Sequence, residues 1–139
     1  MRVMFAAILA VLFALPAPTL AADSLYDRMG QREGLARIAS LMIDISLQDE
    51  RIKDTFSESN IKRVKSMIAD QFCQLVGGPC VYKGRDMAKS HAHLKLVARD
   101  FDALVENLQL AMDEEGVAFA TQNEFLALLA PMHKDIVKH

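Results

Sequence analysis

Nothing in these 139 residues has the spacing of a familiar catalytic motif. There is no Ser-His-Asp order, no paired-carboxylate motif, no glycine-rich phosphate loop and no zinc spacing, so hydrolytic and nucleotide-dependent enzymes are disfavoured. Excess basic charge is also missing: the formal net charge is −2, which excludes a chain that coats nucleic acid. No stretch alternates apolar and polar residues as a strand would, and no internal repeat or low-complexity segment occurs, which leaves an all-α chain. Cysteine is confined to Cys73 and Cys80. What is abundant is apolar: 52% hydrophobic residues against 24% charged ones suit one compact domain.

Much of that excess sits at the start. Arg2 supplies a positive end, residues 3–15 are an unbroken apolar run, and Pro16 and Pro18 interrupt it before Thr19, Leu20 and Ala21. This is the layout of a cleavable signal peptide over residues 1–21, since a membrane span wants about 20 apolar residues without prolines. The mature chain is then expected in the periplasm or secreted, with no membrane span after cleavage, and its two cysteines meet an oxidising compartment in which they can pair. The alternative is a pair of buried free thiols.

Beyond the leader, helical periodicity places one long helix at 33–47, with Leu35, Ile38, Met42 and Ile45 on one face. A polar connection around Phe56 follows. A second long helix at 61–76 aligns Ile61, Val64, Ile68, Phe72 and Leu75, with Ser57, Ser59 or Asn60 as its N-cap and Gly77-Gly78 as its stop. A third carries Phe101, Leu104, Val105, Leu108 and Met112. The last is expected to start at Thr121 with Glu124 completing a capping box, to bury Phe125, Leu128, Leu129 and Met132, and to bend at Pro131.

Between the second and third helices lies the stretch GGPCVYKGRDMAKSHAHLKL. At about 100° per residue, Met87, His91 and Leu94 share a narrow sector, and His93 falls about half a turn away. His91 therefore looks inward and His93 outward. An inward histidine is more often a hydrogen-bonded core residue than a metal ligand, so periodicity alone leaves both roles open. His133, beside Lys134, and the terminal His139 are expected to be solvated. Eight methionines never form Met-x-x-Met, which disfavours a copper protein.

The wording of that stretch, with Met87 four residues before His91 and Phe101 ten after it, resembles the group I truncated haemoglobins, short two-over-two helical globins. The opening LYDRMG and the closing LAPMHKDIV fit too, so the resemblance covers residues 25–137. It implies an all-α two-over-two sandwich, His91 as the proximal ligand of haem iron, and Phe56 stacked on the distal side. Met42, Ile43, Val64, Met67, Ile68, Phe72, Met87, Leu94 and Phe101 then line the cofactor. No Cys-x-x-Cys-His occurs, so the haem is expected to be haem b, held without a covalent link. Arg63, Lys65, Arg85 and Lys89 lie in the segments that would face the propionates, although each is more simply a solvated charge.

Departures from the pattern are informative. The family usually has a double glycine where this chain has Gly30-Gln31. It commonly places a tyrosine in the first long helix, where the hydroxyl donates to bound dioxygen, and often a glutamine on the next; the matching positions here are Ile43, Val64 and Ile68, none a donor. The family's phenylalanine before the tyrosine is Met42. Met67 matches a position where some members place a sixth iron ligand.

The implied function is reversible binding of a diatomic gas (O2, NO or CO), with a reductase or other electron donor as partner. The alternatives are nitric-oxide dioxygenase or peroxidase chemistry, a His/Met electron-transfer haem protein, and a haem-free helical sensor or interaction module.

Overall fold

The computed structural model describes residues 22–138; the expected signal peptide at 1–21 and the terminal His139 lie outside it. Seven α-helices and two 3-10 turns make up the regular structure of the described residues, with no strand among them.

Helix α1 (Leu25–Arg28) is a single turn that would not persist without its cap. The Ser24 hydroxyl accepts the Asp27 N–H, and the Asp27 carboxylate accepts the N–H of Ser24 in return. The chain then turns sharply into α2 (Gln31–Ser46), through Gly30 at φ +77° and Gln31 at φ +57°. Both are left-handed. A double glycine would meet that demand at both places, whereas here the second is met by a residue with a Cβ, at a cost of about 1–2 kcal/mol for the left-handed conformation. Gly34 has a separate duty, because a Cβ there would stand 2.4 Å from the Met29 carbonyl oxygen where α1 closes onto α2. Replacing Gln31 with glycine is expected to raise the melting temperature by roughly 3–6 °C, a little less than the relief of strain because the exposed Gln31–Asp27 hydrogen bond is lost. Thermal unfolding followed by circular dichroism checks it, and a lower midpoint would count against strain at this turn.

α2 is the hub. It packs along α3 (Ile61–Leu75) on one side and α5 (Ala98–Glu114) on the other. Leu35, Ile38, Ala39, Met42 and Ile43 are sealed inside, and Ile45 is only half-buried. The connection to α3 includes a 3-10 turn at Lys53–Phe56, and Asn60 caps α3 by accepting the Arg63 N–H at 3.0 Å. At the other end of α3, Gly77 at φ +82° lets its own N–H reach Gln74 O and the Gly78 N–H reach Cys73 O, the paired bonds of a Schellman stop.

Helix α4 (Met87–His91) is capped by Asp86 and packs on α7 (His133–Ile136). α6 (Phe119–Leu129) departs from the expected start. It begins before Thr121, which is buried inside it and accepts a hydrogen bond from Arg28, whose guanidinium also pairs with Glu124. Those tertiary partners remove Thr121 and Glu124 from any capping box. Leu128, expected inside, is 38% exposed, because the buried face of α6 is set by Thr121, Gln122 and Phe125. Pro131 breaks the helix as expected: a 3-10 turn at Ala130–Met132 separates α6 from α7.

Phe72 of α3 and Phe125 of α6 meet edge to face at 4.9 Å, tying α3 to α6. A buried polar pin adds to this. The Ser46 hydroxyl donates to Met42 O at 2.7 Å, while the Asn107 amide donates to Ser46 Oγ at 3.2 Å and Asp49 Oδ2 at 3.1 Å. Arg51 hydrogen-bonds the same carboxylate and holds its pKa well below the usual range. A depressed folded-state pKa contributes stability that is present above the unfolded value, near 4, and is lost as pH falls through the folded one. The pin therefore holds at neutral pH and weakens in acid.

Candidate functional site

The stretch around His91 is held from both ends. On the upstream side Cys73, in the last turns of α3, is disulfide-bonded to Cys80, with Cα atoms 5.7 Å apart. Gly78 lies between them where a Cβ would be 2.6 Å from the Tyr26 ring and 2.7 Å from Cys73 Sγ, so no larger residue fits. The Tyr82 N–H donates to Gln74 Oε1 at 2.7 Å, and its hydroxyl donates to Arg85 O at 2.7 Å with the ring lying over Gly84. The path from α3 to α4 is thereby fixed without regular secondary structure. Cys73 is fully buried and Cys80 is 7% exposed. Intact protein is therefore expected to resist alkylation until it is unfolded and reduced, and replacing both cysteines by alanine to cost about 2.5 kcal/mol, read by urea denaturation and intact mass. Ready alkylation of both thiols without reduction would show the bridge absent.

The downstream end is the histidine itself. His91 Nδ1 lies 2.8 Å from the Met87 carbonyl oxygen, one turn back on α4. A carbonyl only accepts, so Nδ1 carries the proton, and in the neutral ring the lone pair is then on Nε2. This is the orientation a metal-binding imidazole needs, with its second nitrogen directed away from its own helix. His91 is half-buried and His93, in the turn after α4, is exposed.

The other expected residues fall into two groups. Met42, Ile43 and Phe72 are core residues, 0–4% exposed. Phe56, Val64 and Ile68 rest against that core while keeping part of their surface free, as do Ile61 and Leu104. Met67, Met87, Leu94 and Phe101 are half-buried outside it. Helical phase puts Val64, Met67 and Ile68 on one face of α3, and Met87 and His91 on one face of α4. A pinned imidazole among aliphatic, thioether and aromatic side chains is a donor set and lining that suits a flat apolar macrocycle with an iron ion at its centre.

Two features escaped the sequence reading. Gln71, three residues after Ile68 and four after Met67, belongs to the same face of α3, and its amide reaches Met87 Sδ at 3.5 Å and Met132 Sδ at 3.9 Å. It links α3, α4 and the C-terminal turn, and its helical phase could have revealed it. His133, expected to be solvated, is half-buried and meets Phe101 edge to face at 4.9 Å; the proline-broken end of α6 turns it inward. Of the four cations considered for the rim, Lys65 pairs with Asp44 and Lys89 with Asp86, while Arg63 and Arg85 have no carboxylate partner among the described residues. Two shallow hollows of about 250 and 150 Å³ lie elsewhere, beside Arg32 and Lys65 and around Gly30 and Glu115, and neither touches His91.

Comparison with known proteins identifies the family and the fold. The sequence model of the family described as "Bacterial-like globin" matches residues 24–138. A group 1 truncated hemoglobin of Tetrahymena pyriformis is 30% identical over 115 residues, covering 83% of this chain and 95% of that protein. The crystal structure of the truncated hemoglobin from the same organism in its Fe(III) form superposes with a TM-score of 0.80 at 29% identity, over 84% of this chain and all of that one. The 2/2 hemoglobin of a Synechococcus species, solved with covalently attached heme, shares the fold with a TM-score of 0.78 at 24% identity, over 84% of this chain and 100% of that one.

Proposed function

Because the chain belongs to the bacterial-like globin family, as a two-over-two truncated haemoglobin, we propose that it holds haem b without a covalent link through His91 and binds a diatomic gas reversibly in an apolar distal pocket. The observation that carries this reading is the 2.8 Å contact between His91 Nδ1 and the Met87 carbonyl, which leaves Nε2 as the one oriented imidazole lone pair on the inner face of α4. When bound, the haem supplies the iron site for the gas. The chain's own contribution is to orient the proximal nitrogen, exclude water with Phe56, Val64 and Ile68, and withhold a hydrogen bond at these positions and at Ile43, none of which carries a donor, with the Gln71 amide turned to the sulfurs of Met87 and Met132. Neither cysteine is free to form a thioether link, because the two are bonded to each other.

The protein acts outside the cytoplasm, a reading supported by the leader-like pattern of residues 1–21. No helix among the described residues is long and apolar enough to cross a membrane. The test is direct. Purified protein titrated with hemin should give a Soret band that saturates at one haem per chain, release the haem into acidified ketone, and, once reduced with dithionite, shift on exposure to carbon monoxide. No saturable band would sink the haem reading, and haem that stays with the protein in acid would sink the non-covalent one. Catalytic consumption of nitric oxide with a reductant would move the function to dioxygenase.

A further inference from the structure

Charge is distributed unevenly along this nearly neutral chain. Residues 100–133 contain no lysine or arginine but carry Asp100, Asp102, Glu106, Asp113, Glu114, Glu115 and Glu124. Residues 81–99, the segment built around α4, are the opposite: Lys83, Arg85, Lys89, Lys95 and Arg99 are all exposed, and Asp86 is the only carboxylate. Asp86 is already engaged as the N-cap of α4 and pairs with Lys89 at 3.2 Å, and Arg99 reaches Asp100 only at 3.7 Å. Lys83, Arg85 and Lys95 have no carboxylate partner among the described residues. The C-terminal segment adds to the same side, since α4 packs on α7 and the Lys138 N–H donates to Leu96 O at 2.8 Å; it brings exposed Lys134 and Lys138 against one further carboxylate, Asp135. Two apolar side chains mark the ends of the basic segment, Val81 at 64% and Val97 at 41% exposure. Exposed cations with apolar side chains at their margins suit a surface that meets an acidic protein, because charge complementarity steers the encounter and apolar groups help to hold it.

We propose that this basic face over α4 is the docking surface for an acidic protein that donates single electrons. The inference rests on the haem reading: the inner side of α4 carries His91, so a partner seated on its outer side lies about one helix diameter, roughly 10 Å, from the proximal ligand. One electron leaves the partner's redox centre, which is oxidised by one unit, and ferric iron becomes ferrous; no bond forms or breaks. Dioxygen and carbon monoxide bind only the ferrous state, which gives such a surface its use.

The test uses the haem-loaded protein and a plant-type [2Fe–2S] ferredoxin, an acidic one-electron donor, with reduced cytochrome c as the basic control. Lys83→Glu, Lys89→Glu and Arg99→Glu are combined. The last two lie in the first turns of α4 and α5, where a glutamate is favourable, so the variant should fold as the parent does. Reduction by ferredoxin should slow at least about tenfold on raising ionic strength and about tenfold or more in the triple variant at low ionic strength, with binding by calorimetry weakened in parallel and cytochrome c favoured instead. A haem-loaded protein whose ferredoxin reduction and binding ignore both salt and charge reversal overturns the docking surface and leaves the haem reading standing. Loss of binding to phosphatidylglycerol vesicles in the variant, with ferredoxin reduction unchanged, assigns the face to a membrane and overturns it likewise. Absence of any Soret band overturns both.

Discussion

Replacing His91 with alanine is expected to weaken haem retention at least about a hundredfold, whereas His93→Ala leaves it nearly intact. The difference follows from placement. Removing His91 deletes the one imidazole whose Nδ1–H is anchored by its own helix, at 2.8 Å from Met87 O, and whose other nitrogen is free to coordinate. His93 is exposed in the turn beyond α4. Changes to groups that merely orient a ligand already cost about 10–100-fold in metal affinity, so loss of the ligand itself should cost more. Transfer of hemin to apomyoglobin, followed through the Soret band, measures it. His91→Gly with added imidazole provides a second arm, because the small ligand should restore the spectrum without restoring the covalent tether. Equal loss in His91→Ala and His93→Ala, or loss in His93→Ala alone, would sink the assignment.

Why was the inward phase of this histidine legible in the sequence when other features were not? Its sector was fixed by local helix geometry, and so were the stop at Gly77, the Asn60 cap and the break at Pro131. Each of these is decided by residues within about one turn. The errors arose where a distant partner decides. Arg28 reaches across from α1 to take Thr121 and Glu124, which dissolves the expected capping box. His133 is drawn in by Phe101, and the Ser46–Asn107–Asp49 pin joins residues some 60 positions apart. The Gly30-Gln31 departure has a mixed status: the sequence showed that a glycine was missing, and only the backbone showed that Gln31 pays with a left-handed φ of 57°.

A local pattern also cannot say which apolar residues are sealed and which stay at the edge. Ile43 and Val64 read alike as donor-free positions, yet Ile43 is fully buried in the α2 core while Val64 keeps part of its surface free. That difference governs how the distal side should be probed. A tyrosine at position 43 must displace core atoms, with an overpacking cost of about 1–3 kcal/mol, whereas a glutamine at position 64 has room.

Dioxygen is accordingly expected to leave the ferrous protein fast, and either donor should slow it. Bound dioxygen carries partial negative charge, so a hydrogen bond to it is worth about 1.5–3 kcal/mol. At about 1.4 kcal/mol per tenfold change, Val64→Gln or Ile43→Tyr should slow dissociation by one to two orders of magnitude, and carbon monoxide, less polar when bound, should respond far less. Stopped-flow displacement of dioxygen measures both variants, and the glutamine variant guards against a tyrosine that fails to pack. Met67 supplies the competing outcome. It shares the α3 face with Val64 and Ile68 and is half-buried, which makes its thioether the candidate for a sixth ligand. In that case the unmodified protein would be low-spin, dioxygen binding would wait on methionine release, and Met67→Ala would abolish the low-spin spectrum. With the iron five-coordinate or water-ligated, as expected here, Met67→Ala leaves the spectrum essentially unchanged, and the dissociation rate answers to the missing donor alone. Slow release in the unmodified protein, or no slowing in either donor variant, would refute that account of the apolar pocket.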